Sequence, residues 1–296
     1  MTDGFLNLLK PPGMTSSDAV VLVRRAFARG TKVGHMGTLD PEAAGVLPIG
    51  VGSAARLFDY VTEKEKTYRA EIAIGQATDT QDATGRVVAR GPGVRMEDLR
   101  AVLPRFVGEI EQVPPAYSAI KVGGRKLYEA ARAGEALEVP SRRVQIYGLD
   151  LAGQSGENRF LLDVRCGRGT YIRTLCHDIG RALGTCAHMA FLLRVRSGVF
   201  GIEDAVTPEE FLAGAPDAHL MPLDAPLQHL PAVRLGETLE RAVRNGNPIR
   251  MEHWKRPLQE GTVARIYLGQ AFAGIGQAQE GRIRFRCMLL RGGSPQ

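Results

Sequence analysis

From Lys66 to Gly75 the chain reads KTYRAEIAIG, and its apolar positions alternate with polar or small ones. Tyr68, Ala70, Ile72 and Ile74 therefore share one face of a predicted strand. The run RFLLDVRC, 159–166, predicts another strand. Two other stretches follow the helical period. After Ser16-Ser17-Asp18, residues Ala19, Leu22, Val23, Ala26 and Phe27 form a stripe that leaves Arg24, Arg25 and Arg29 outside, and Gly30 can end that helix. After RFLLDVRC, the turn GRG leads into TYIRTLCHDIGRAL, where Ile172, Leu175 and Ile179 form the stripe and Gly184 closes it. GQATDTQDATGRVV reads as a polar turn entering a further strand.

Between 207 and 231 five prolines interrupt the pattern, which predicts an irregular connection or short helical turns. Beyond it stand one short helix, TLERAVRNG, and three strand-like runs, VARIYLG, AFAGIGQ and RIRFRCMLL. A small β-barrel fits that length and spacing. In RIRFRCM, Arg282, Arg284 and Arg286 alternate with Ile283, Phe285 and Cys287, so one face is apolar and the other carries guanidinium groups. The expected division is thus 1–231 and 232–296.

Composition narrows the class. A chain of 296 residues with 44% hydrophobic content can build a real core as one large or two ordinary domains. No apolar run reaches the roughly 18 residues that would span a membrane, and no secretory signal is visible at the start. Four cysteines in this length do not make a disulfide framework, and a reducing cytoplasm is the expected setting. The net charge is +6, and residues 233–296 hold eleven Lys and Arg against five Glu and no Asp, so the whole excess lies there. A basic end on a neutral body suggests a polyanion, with nucleic acid first, although a solvated basic surface gives the same count.

The chemistry centres on GHMGTLDPEAAGVLPIGVG, 34–52, where Asp40 precedes a run that looks buried. An Asp-Pro pair is a helix-cap signal. Gly45, Pro48 and Gly50 leave little helix to cap, yet local pattern alone still favours a cap or turn over a nucleophile. Arg173 shifts the balance. A cation in the first turn of a helix faces the positive end of the dipole and needs an anion, a buried carboxylate or an RNA phosphate, unless it reaches out to water. Beside Asp40 it would lower the carboxyl pKa and keep it ionised. Tyr68 points inward, either as a core tyrosine or as a ring on which a base could stack. His35 lies in a Gly-rich loop, where a turn histidine is the plain alternative. The cysteines lack zinc-ligand spacing and read as core residues. CGRGT is not a P-loop, so no metal and no nucleotide cofactor is expected. The segment 114–143 carries Lys121, Arg125, Lys126, Arg132, Arg142 and Arg143 with Tyr117 and Tyr128 interleaved, which suits an RNA clamp or an ordinary surface hairpin and helix.

Five pieces in order now identify a resemblance: KPPGMTS (10–16), KVGHMGTLDPEAAGVLPIGVGSAAR (32–56), KTYRAEIAIGQATDTQDATG (66–85), PPAYSAIKVGGRKLYEAARAG (114–134) and CGRGTYIRTLCHDIGRALGTCAHMAFLLRVRSG (166–198). The chain resembles the bacterial tRNA pseudouridine-55 synthases, the TruB family. That resemblance implies a mixed α+β catalytic domain around an antiparallel-rich central sheet flanked by helices, an RNA-clamp insertion at about 114–143, and a small PUA-like RNA-binding barrel at the C-terminus. It implies Asp40 as the nucleophile, Tyr68 stacked on a flipped uracil, Arg173 paired with Asp40, Tyr171 and Leu192 lining the base pocket, and His35 against the substrate loop. Asp79 and Asp82, in a T-D-T-x-D turn, are expected to be structural. Lys121, Arg125, Lys126, Arg142, Arg143, Arg282, Arg284 and Arg286 would grip RNA backbone. The expected partner is the T-arm of tRNA, met by a monomer without cofactor. A non-catalytic RNA-binding or RNA-folding protein on the same scaffold, and an unrelated Asp-dependent hydrolase, remain alternatives.

Overall fold

The computed structural model describes residues 3–61, 65–117, 139–251 and 257–290, together with the backbone of 121–122 and 125–126. In chain order it begins with β1 (Gly4–Lys10), α1 (Ser16–Arg25), β2 (Val33–His35) and β3 (Ala44–Val51). There follow β4 (Lys66–Ile74), β5 (Gln76–Thr78), β6 (Val87–Arg90), α2 (Met96–Val102) and β7 (Gly108–Gln112). The short strands β8 (Lys121–Val122) and β9 (Arg125–Lys126) pair with each other. Then come β10 (Arg142–Gly156), β11 (Arg159–Cys166), α3 (Ile172–Ala182), β12 (Ala187–Ser197) and β13 (Phe200–Gly201). The last part holds α4 (Pro208–Ala213), β14 (Ala232–Leu235), α5 (Glu240–Arg244), β15 (Ile249–Arg250), β16 (Val263–Leu268), β17 (Ala271–Gln279) and β18 (Arg282–Met288).

The central sheet runs β1-β3-β12-β4-β11-β10-β7, with β2 on β3 and β13 on β12. Every pairing in it is antiparallel except β12 with β3. The mixed α+β class read from the sequence is the one observed. The two alternating runs form β4 and β11, and they pair along their whole length, with Tyr68 opposite Val164. Tyr68, Ala70, Ile72 and Ile74 are all buried, as their spacing predicts. By contrast, β1 and β3 are buried at nearly every position, so they carry no alternation to read.

Gly45 is what lets β12 meet β3. It has φ +117°, and a Cβ there would lie 2.2 Å from the Arg194 carbonyl oxygen. Only glycine permits that approach.

One helix boundary and one connection differ from expectation. Helix α1 is capped by Thr15, whose hydroxyl accepts from the Asp18 amide while Asp18 accepts from the Thr15 amide. It ends at Arg25 with a cap at Ala26, before Gly30. The turn of 207–231 is also less detached than a linker. Val206 donates its amide to Asn7 at 2.9 Å, Met221 donates to Phe5 at 2.8 Å, and Phe211 is fully buried. This connection therefore lines the open edge of β1.

The C-terminal residues form a half-barrel of five strands in the order β14-β16-β17-β18-β15. The three predicted runs are β16, β17 and β18. The short strands β14 and β15 lacked enough length to show a period. Its own core contains Val233, Val243, Ile266 and Ile283. A further apolar cluster joins it to the central sheet, with Phe5, Val46, Leu57 and Phe200 from one and Ile275 and Cys287 from the other. Arg56 donates to the Met288 carbonyl across the same boundary at 2.6 Å. No helix among the described residues is long and apolar enough to cross a membrane.

Candidate active site

Asp40 stands in the loop that enters β3, and that loop is tied down by three buried side chains. Ser16, 3% exposed, bonds both ways with Leu39: its hydroxyl donates to the carbonyl at 3.1 Å and accepts from the amide at 2.9 Å. Lys10 is fully buried and donates to the carbonyls of Pro11, Met14 and Pro41 at 2.8, 2.7 and 3.0 Å. Three acceptors match the three N–H groups of an ammonium, and burial lowers its pKa to about 8. Arg194, also fully buried, donates to Val46, Thr38 and Gly37 carbonyls at 2.7, 3.3 and 3.2 Å. After Asp40 the chain makes one turn, closed by Ala43 N–H to Asp40 carbonyl at 3.1 Å, and then becomes strand. No helix follows for Asp40 to cap.

Arg173 occupies the second position of α3 and is 5% exposed. Its Nε lies 3.0 Å from Asp40 Oδ2, and its Nη2 donates to Asp40 Oδ1 at 3.2 Å. This is a two-pronged pairing. Its remaining donors reach the carbonyls of Tyr117 at 3.0 Å and Thr80 at 3.3 Å, and Nη1 is 3.5 Å from Asp82 Oδ2. The anion that a cation at a helix start needs is therefore a pair of carboxylates. Asp82 is held in turn by the Thr80 and Thr84 hydroxyls at 2.7 and 2.6 Å and by the Thr84 amide at 3.0 Å. Asp82 is thus the turn residue that the sequence predicts, and it also pairs with Arg173. Asp79 does serve the turn, accepting from the Arg86 amide at 2.9 Å.

The charge balance also departs from expectation. Arg173 does pull the Asp40 pKa down, but burial outweighs it and Asp82 adds to burial, so the net direction is upward. The side chain is still 36% exposed, because its free edge faces a cavity. That cavity of about 1050 Å³ is lined by Asp40, Tyr68, Tyr171, Arg173 and Leu192, along with Asp82. Burial pushes the Tyr68 phenol up to about 12, against the pull of the adjoining Arg194. Tyr171 caps α3 through its backbone: its amide donates to Gln112 Oε1 at 3.0 Å, and Gln112 Nε2 donates back to its carbonyl at 3.2 Å.

Other sequence candidates stand apart. His35 ends the short strand β2 rather than lying in a loop, is absent from the cavity wall, and has a buried Nδ1 without a partner. Arg142 sits over the Tyr171 ring, 5.7 Å from its centroid, and so does reach the site's edge. Arg143 pairs with Glu109 at 3.3 Å and Arg284 with Glu280 at 2.7 Å, while Arg286 bonds Gln277 at 2.8 Å and Arg282 is exposed on β18. The side chains of Lys121, Arg125, Lys126, Arg132 and Tyr128 lie outside the described residues. Cys166 and Cys176 are buried, and burial raises their thiols to about 11 and about 12, which suits the core role read for them. No group of three or more His, Cys, Asp or Glu among the described residues is arranged to hold a metal ion. The sequence reading missed Lys10, Ser16 and Arg194, whose only local signal was burial-prone surroundings.

Three family models account for most of the chain. Residues 24–172 match the TruB family pseudouridylate synthase N-terminal domain, 173–228 the tRNA pseudouridylate synthase B C-terminal domain, and 231–289 the pseudouridine synthase II TruB C-terminal domain. The tRNA pseudouridine synthase B of Heliobacterium modesticaldum is 43% identical over 282 residues, covering 93% of this chain and 90% of that one. That of Symbiobacterium thermophilum is 50% identical over 248 residues, 82% of each. The fold is also similar to "Structure of H/ACA RNP bound to a substrate RNA containing 2'-deoxyuridine", with TM-score 0.71 and 23% identity over 97% of this chain and 85% of that one. An aspartate-bearing cavity on this sheet, and relatives matched nearly end to end, lead to one assignment: the chain belongs to the TruB family of pseudouridylate synthases.

Proposed function

We propose that the protein isomerises uridine 55 in the T-loop of tRNA to pseudouridine, with Asp40 as the attacking carboxylate. The observation that carries this reading is the Asp40 carboxylate, paired at 3.0 Å with a buried Arg173 and facing a cavity walled by Tyr68, Tyr171 and Leu192. The reaction breaks the bond from C1′ to N1, turns the uracil over, and joins C1′ to C5. The C5 proton leaves and N1 gains one, so nothing is oxidised and no co-reactant is consumed. The detached base must be held while it turns, and an aromatic and aliphatic wall can hold it without fixing one orientation. Asp40 supplies the negative charge that detaches the base, and Arg173 fixes that carboxylate in place. Tyr68 keeps its proton at neutral pH. It stacks on the base and takes part in proton movement only as a donor or relay.

A uridine must leave its stack to reach this cavity, which costs less in a loop than in a duplex. The T-arm suits that requirement, and a monomer with a basic C-terminal half-barrel suits a partner of that shape. Incubation with an unmodified tRNA transcript, followed by mapping of new pseudouridine, tests the reading. Conversion at position 55 is expected. Uridine persisting there in a tRNA that the protein binds would leave a non-catalytic RNA binder in its place.

A further inference from the structure

The cavity has a second charged corner that the isomerisation chemistry leaves unused. Lys66 stands two residues before Tyr68 on the same face of β4 and lines the same cavity. Among the described residues its ammonium has no hydrogen-bond or ion-pair partner. A Cβ on Gly37 would stand 3.6 Å from Lys66 Cε and 3.9 Å from Nζ, so the amine adjoins the start of the loop that carries Asp40. Arg194 comes near the same point, with its Nη1 4.0 Å from a Gly37 Cβ. Arg194 donates to three carbonyl oxygens and adjoins the Tyr68 hydroxyl, and no carboxylate pairs with it among the described residues. Burial lowers the Lys66 pKa, and Arg194 and the exposed Arg168 add to that against the opposite pull of Cys166.

An ammonium on the wall of this cavity with no carboxylate partner among the described residues, and a fully buried guanidinium near the same glycine, call for an anion. A uridine residue in RNA has one formal negative charge, its phosphate. The uracil itself is neutral, and under the proposed function its faces are taken by Tyr68, Tyr171 and Leu192. We propose that Lys66, backed by Arg194, binds the phosphate next to the ribose of the extruded uridine and so sets the sugar against Asp40. Lys66 is then a substrate-binding residue for the isomerisation, and the assignment rests on that reading.

The test pairs protein variants with neutralised RNA. Stem-loop RNAs carrying the target uridine are made with a single uncharged methylphosphonate linkage on its 5′ side, on its 3′ side, or on neither. Single-turnover rates are measured for the unsubstituted protein, Lys66→Gln and Lys66→Arg, with thermal melting recorded for each. On the all-phosphate RNA, Lys66→Gln is expected to be slower by about 10- to 100-fold, the range of a charge-assisted hydrogen bond, and Lys66→Arg to keep most of the rate. On one of the two methylphosphonate RNAs the unsubstituted protein should slow by a similar factor, and Lys66→Gln should cost nothing more. A Lys66→Gln defect of equal size on all three RNAs would mean that the lysine acts on protein structure or on the base, and it would overturn the assignment. So would an unchanged rate in Lys66→Gln. Absence of pseudouridine with the unsubstituted protein would overturn the isomerase reading itself, and this assignment with it.

Discussion

Asp40 is held by opposing influences, and its behaviour with pH follows from their balance. Burial favours the neutral acid, Arg173 favours the carboxylate, and burial prevails. Its folded pKa thus lies above the value of about 3.9 for a free aspartate. Between those two values the folded protein binds more protons than the unfolded chain, so this group's contribution to stability falls as pH rises through that window. At neutral pH the ionised carboxylate is a cost. Asp40→Asn should therefore melt at the same temperature as the unsubstituted protein or higher, while its single-turnover rate falls by at least about 10³-fold and tRNA binding persists. Loss of tRNA binding together with rate would count against a purely chemical role. The acid limb of the pH–rate profile should likewise lie above the free-aspartate range. Arg173→Lys keeps the charge but loses the planar pairing with Asp40 and the bonds to Tyr117 and Thr80. A drop of about 10²-fold in rate with little change in tRNA affinity is expected, measured under single turnover. Asp40 and Arg173 were legible in the sequence because each broke a local rule, one an Asp-Pro without a helix, the other a cation at a helix start. Asp82 broke none, since its turn satisfied it locally.

At the scale of elements, the site is a loop stapled between strands. Ser16, Lys10 and Arg194 reach it from α1, β1 and β12, so the stretch 10–16 and the distant strand β12 must both meet the loop before Asp40 is placed. Ser16→Ala leaves a buried Leu39 amide and carbonyl without partners and should cost about 1–3 kcal/mol in urea unfolding. Gly45→Ala is expected to be worse, about 3 kcal/mol or more. The new methyl meets the Arg194 carbonyl, and alanine tolerates a φ of +117° poorly. These staples were not legible. Their residues look like any lysine, serine or arginine, and only the strand order brings them together. Strands β4 and β11 were legible because one side of each alternates, whereas β1 and β3, buried at nearly every position, gave no period to read. Helix α1 stopped before Gly30 because Ala26 already closes it.

On the scale of the molecule, the basic excess and the Asp40 cavity belong to different sheets that share one apolar cluster. Thermal unfolding should accordingly show one cooperative transition rather than two. A chain truncated after residue 231 should lose solubility, because Phe5, Val46 and Leu57 would face water. A soluble, well-folded fragment 1–231 would contradict this. The sequence marked the change of texture near 231 and the alternation of RIRFRCM, which placed Cys287 on an apolar face. It carried no sign that Cys287 turns toward residues near position 50 while Ile283 and Phe285 on the same face serve the half-barrel's own core.

Val46 shows what that sharing entails. Its side chain belongs to the cluster joined by Ile275 and Cys287, while its carbonyl receives the Arg194 guanidinium that also fastens Gly37 and Thr38. A chimera that keeps this enzyme's front portion and borrows another tail must then supply matching aliphatic bulk where Ile275 and Cys287 now stand, plus an acceptor for Arg56. Grafts designed on charge alone would unsettle the very hinge-pin on which the Asp40 loop is mounted.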